Sequence, residues 1–228
     1  MQAAEIISKI QEIHAKYPVP KNLKRHMTLV AGVSEQIANS FQIPIDAKTL
    51  VAAALIHDLG NIIKMKLFDS ELINLLDKED QKNLKQFQEK QKEFIKLYGD
   101  NAEEANLLIA KEIEAPHNLI ELISPGTITL HNGKAIISAD IMRQILLYSD
   151  LRVAPQGVVS LNERLNEYAK RYKINENLEK SKHSKIYTCA AHELEKNIFN
   201  QTKIRPTDIT QNSVKKYARK YGYEEKTE

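Results

Sequence analysis

A single cysteine, Cys189, among 228 residues excludes an intrachain disulfide and any metal site built from clustered thiolates. It lies in the apolar stretch IYTCAAHEL, which predicts a buried thiol rather than a nucleophile. Glycine and proline are scarce, seven of each, too little punctuation for the many turns of an all-β domain. No apolar run reaches the ~18 residues of a membrane span. The opening MQAAEIISKIQEIHAKY lacks the pattern of a secretory signal, so a cytoplasmic protein without membrane contact is expected. The net charge of +3 is too small to imply nucleic acid. The basic group Lys215, Lys216, Arg219 and Lys220 is followed at once by Glu224, Glu225 and Glu228, which reads as a solvated tail. No glycine-rich phosphate loop occurs. HELEK is not the zinc-protease HExxH, because Lys196 holds the fifth position.

What remains is rich in Lys, Glu, Leu, Ile, Ala, Asn and Gln, the residues of helices. Helices are expected at about 3–16, 22–41 and 47–57, the last capped by Asp46 and ended by Gly60. Two or three charged amphipathic helices follow over about 69–114, broken at Tyr98-Gly99-Asp100. Later helices are expected near 137–150, 160–172, 183–199 and 208–221, with a loop around Pro155-Gly157. In SPGTITLHNGKAII, two β-prone runs flank Asn132-Gly133, a strong hairpin signal. The pattern predicts one all-α domain with a small β-hairpin and no internal repeat.

Against this background LVAAALIHDLGNII, residues 50–63, is anomalous. A wholly apolar helix ends in His57-Asp58, and burying an ionised carboxylate beside an imidazole is costly without compensation. Side chains of adjacent residues point about 100° apart on a helix, so the two cannot satisfy each other well. They can converge on an ion beyond the helix end. Taken alone, the dipeptide also fits an exposed pair at a helix terminus. His26 is followed by Leu29, Val30, Val33 and Ile37 at offsets of 3, 4, 7 and 11, which puts it on the buried face. A core histidine bonded to a backbone carbonyl would look the same. Asp150 closes SADIMRQILLYSD after Leu146 and Leu147, where a plain helix-end carboxylate is the alternative. One bound cation would neutralise all three intrusions together.

His26, the pair His57-Asp58 in AAALIHDLGN and Asp150 in YSDLRV resemble the H…HD…D signature of the HD-domain superfamily of metal-dependent phosphohydrolases. The segment YSDLRVAPQGVVSLNERLNEYAKRY strengthens the likeness, which spans about Asn22 to Tyr172. The resemblance implies an HD-type helical bundle. Its core would cover about 22–172 of a single domain over 1–228, with a helical extension over about 173–228. It implies one divalent ion held by His26, His57, Asp58 and Asp150, and two histidine ligands fit Mn, Co, Fe, Ni or Zn better than Mg. It further implies hydrolysis of a phosphate ester, with a nucleotide as the expected substrate. A metal- and nucleotide-binding sensor with little turnover is the alternative, and an RNA-processing role ranks below both. The oligomeric state is left open, a homodimer included.

Two departures from the family pattern matter. Relatives with two metals carry extra histidines before the last aspartate, whereas here only His117 and His131 are available, both expected in turns. Some single-metal relatives place a carboxylate just after HD to activate water. Here Asn61 and Lys64 occupy HDLGNIIK, with Asp69 and Glu71 the nearest acids, so Asp58, Asn61 and Lys64 are the catalytic candidates. Arg25, Lys64 and Arg152 are the cations expected to meet phosphate. His14, His183 and His192 have no partner spacing that suggests a site.

Overall fold

The fold was obtained as a computed structural model, which describes residues 1–68, 73, 76–131, 134–171, 173 and 178–225. The chain starts with α1 (Ala3–Ser8) and α2 (Ile10–Lys16), so the single helix expected there is split at Lys9. Both turn isoleucines inward, Ile6 from α1 and Ile10 and Ile13 from α2. Pro20 then caps α3 (Lys21–Ala38), its fixed φ of −60° suited to a helix entrance. α4 (Ala47–Ile56) starts at Asp46, whose side chain accepts from the backbone N–H of Thr49 at 3.1 Å. Every residue of α4 from Thr49 to Ile56 is buried. That burial is why the stretch carries no amphipathic stripe: α4 is the central rod, packed by α1, α3 and two helices described below.

After a 3-10 turn at Asn61–Lys64 come α5 (Lys78–Lys82), α6 (Leu84–Tyr98), α7 (Ala102–Glu112) and α8 (His117–Ile123). Gly99 makes the expected break with φ of +83°, and Asn101 caps α7. The hairpin pairs β1 (Ile128–His131) with β2 (Lys134–Ile137) antiparallel, Ile128 opposite Ile137. Asn132 and Gly133 lie outside the described residues, as do Asp69, Glu71 and Tyr172. α9 (Ile141–Leu151) leads into a two-residue ladder, β3 (Val153–Ala154) with β4 (Gly157–Val158), where a loop was expected. α10 (Leu161–Arg171), α11 (Leu178–Phe199) and α12 (Gln211–Ala218) complete the chain. α8 and α9 are the other helices against α4, and α12 lies along α3. There Gly32 permits the approach, since a Cβ would stand 2.9 Å from Val214 Cγ1. The architecture is all-α with small hairpins, as expected. Cys189 is exposed rather than buried, because it faces away from the packed side of α11 formed by Ala190, Ala191 and Leu194.

Candidate metal centre

His57 is the C-cap of α4 and Asp58 follows it, so the central rod aims its end at the site. The turn after them is not the left-handed helix stop expected at Gly60, whose φ is −84°. Glycine is required there for space instead. A Cβ would meet Ala105 Cβ at 2.9 Å and Asn106 Oδ1 at 3.0 Å. Asn106 uses the gap to accept from the Gly60 N–H at 2.5 Å, which ties the His-Asp turn to α7.

His26 reaches the same point from α3 and Asp150 from the last turn of α9. His26 Nε2 lies 2.9 Å from Asp150 Oδ1 and 3.7 Å from Asp58 Oδ2. His57 Nε2 lies 3.6 Å from Asp58 Oδ2 and 3.8 Å from Asp150 Oδ1. Donors about 2.1 Å from one tetrahedral ion stand roughly 3.4 Å apart, close to these separations. Ligand atoms of His26, His57 and Asp58 all fall within 4.8 Å of one another.

The imidazole of His57 is set as a ligand should be. Its Nδ1–H donates to the Ala54 carbonyl at 2.8 Å, so the lone pair falls on Nε2. That Nε2 is buried and has no hydrogen-bond partner among the described residues. A buried ring nitrogen is not left unpaired without cost, and the facing carboxylates favour a cation there, either a proton on Nε2 or a metal ion in its place. Burial works against protonating His57, but the charges of Asp58 and Asp150 overcome this and lift it to about 9. Burial likewise opposes ionisation of Asp150, yet hydrogen bonding and charge from His26 and His57 hold it well below the usual carboxylate range. The donor set of two imidazoles and two carboxylates fits a divalent transition metal.

The cluster opens into a cleft of about 320 Å³. Asn61 and Lys64 line it as expected, Lys64 exposed and Asn61 buried with its Oδ1 unpartnered among the described residues. The two expected arginines do not. Arg25 is turned about 100° from His26 on α3, where it grips both Asp77 oxygens, at 2.5 and 3.2 Å, and the Glu224 carbonyl. Arg152 sits two residues from Asp150, about 200° around the helix axis. It is 3 % exposed, and its guanidinium donates to Tyr148 Oη and to the carbonyls of Val159, Pro206 and Ile209. It clamps the C-terminal segment to α9 and has no reach to a ligand.

Residues that the sequence did not single out take their place: Glu103 on α7, Arg143 on α9 and Tyr187 on α11 all line the cleft. A signal for Arg143 was present, because seven residues before Asp150 returns to the same helix face within about 20°. Glu103 carries no such mark, its place following from the Asn106–Gly60 contact one turn along α7. His117 is exposed beside Glu121, and His131 is exposed on the hairpin. Neither lines the cleft.

The structure is thus a helical bundle whose buried central helix brings a His-Asp pair to a second histidine and a second aspartate, a group that could hold a metal ion. Residues 23–131 match the family model described as the HD domain, a match consistent with the superfamily of metal-dependent phosphohydrolases. The match takes in His26, His57 and Asp58 and stops short of Asp150, whose place comes from the fold. No curated protein and no solved structure matches the chain.

Proposed function

We propose that the protein is a single-metal phosphohydrolase that cleaves a phosphate ester, a nucleotide being the substrate class expected. The observation that carries this reading is the buried, unpartnered Nε2 of His57 facing Asp58, Asp150 and His26 at the foot of an open cleft. A divalent ion held by these four side chains would acidify water and polarise a phosphoryl oxygen. Lys64 would bring a point charge to the phosphate, and the Asn61 amide would orient the water or a phosphate oxygen. Glu103 is the carboxylate outside the ligand set among the described cleft residues, so it is the group to receive the water's proton. A non-catalytic sensor is the second reading, favoured by the amide of Asn61 where a base could have stood.

Protein loaded with Mn²⁺, Co²⁺ or Ni²⁺ should release phosphate from nucleoside monophosphates or cleave bis-p-nitrophenyl phosphate. Asp58→Ala should abolish activity together with metal retention. Glu103→Gln should keep the metal and lower kcat by about 10²- to 10⁴-fold. Stoichiometric metal without turnover across a broad ester panel would favour the sensor.

A further inference from the structure

Arg143 lines the same cleft as His57, Asp58 and Asp150. This arginine stands seven residues before Asp150 on α9, about 10 Å along the helix and on the same face. Long helical side chains lean toward the N-terminus, so its guanidinium leans away from the metal ligands. Its Nη2 is fixed there by the carbonyls of Ser124 at 2.9 Å and Pro125 at 3.1 Å. Its Nε is buried without a partner among the described residues, and no hydrogen bond of Nη1 to a described residue is present. The guanidinium therefore keeps unused donors beside the cleft. No carboxylate pairs with it among the described residues. Between the two stands Leu147, one turn from both Arg143 and Asp150, and Leu122, Ile123 and Tyr187 also line the cleft.

We propose that Arg143 anchors a second anionic group of the substrate. The site thus takes an ester with phosphates at both ends of a ring-bearing core, as in a nucleoside 3′,5′-bisphosphate. Two phosphates joined through one bridging oxygen lie too close together to reach both ends, and a charged chain would cross Leu147. An oxyanion at Arg143 would take up the open Nη1 donors with charge-assisted bonds. The inference rests on the phosphohydrolase reading for what happens at the metal end, but not for binding at the arginine end.

The test compares adenosine 3′,5′-bisphosphate with adenosine 5′-monophosphate on Mn²⁺-loaded protein, by kcat/KM and by equilibrium binding. The wild type should favour the bisphosphate at least about tenfold, the scale of one charge-assisted contact. Arg143→Gln removes the charge and ends about where Nε stands, and should erase that preference while leaving the monophosphate unchanged. Equal affinity for the two nucleotides in the wild type overturns the proposal, as does a preference that survives Arg143→Gln. An equal loss for both nucleotides also overturns it, since it marks Arg143 as a latch for the loop alone. If the preference appears in binding while no ester is hydrolysed, Arg143 keeps its role and the phosphohydrolase reading falls.

Discussion

Two histidines use α4 carbonyls in opposite ways. His14 gives its Nε2–H to Leu55 at 2.9 Å and is 4 % exposed; His57 gives its Nδ1–H to Ala54 and turns Nε2 toward the cluster. Burial, helped by the Lys24 charge and opposed by the Leu55 hydrogen bond, pushes the first down to about 4. The bland alternative considered for His26, a core histidine bonded to a carbonyl, is thus the actual state of His14. Sequence pattern could not separate them, since both follow helical spacing and only the presence of nearby carboxylates differs. Between pH 6.5 and about 4 the unfolded chain takes up a proton at His14 that the folded chain refuses. This contribution is therefore intact above pH 6.5 and is lost as the pH falls toward 4, approaching about 3 kcal/mol. Denaturant titrations of wild type and His14→Gln across that range should show the difference closing as acid is added. A constant difference would contradict the assignment.

At the scale of elements, helical phase decides what the linear motif leaves open. Tracing residues outward from Asp150 by sequence distance favoured Arg152, yet two residues along a helix point to the other side and seven point back. Helix positions and the convergence of His26, His57, Asp58 and Asp150 were legible because burial writes a 3.6-residue period and polar intrusions break it. The partner of the His-Asp turn was not legible, because α7 has no periodic link to α4. Gly60 looked like a helix stop and is instead the place where α7 comes closest. Gly60→Ala should force Ala105 and Asn106 back and break the 2.5 Å bond to the turn. A cost of about 1–3 kcal/mol is expected for such overpacking. Thermal unfolding should fall by several degrees, with weaker metal retention. An unchanged melting temperature would refute the close contact.

For the molecule as a whole, the fold is a device for bringing together three distant stretches of chain. α3, the end of α4 and the end of α9 supply His26, His57-Asp58 and Asp150, while Arg152 and the Gly32–Val214 contact bind the C-terminal helices against that frame. The family match ends at residue 131, so of the four proposed ligands Asp150 depends most on the fold. The most direct measurement is metal content after dialysis, for wild type and for Asp150→Ala and Asp58→Ala. One transition-metal ion per wild-type chain and loss of the ion in both variants, each remaining folded by circular dichroism, are the expected results. A wild type that retains no ion, or an Asp150→Ala protein that holds it undiminished, would contradict the four-ligand centre.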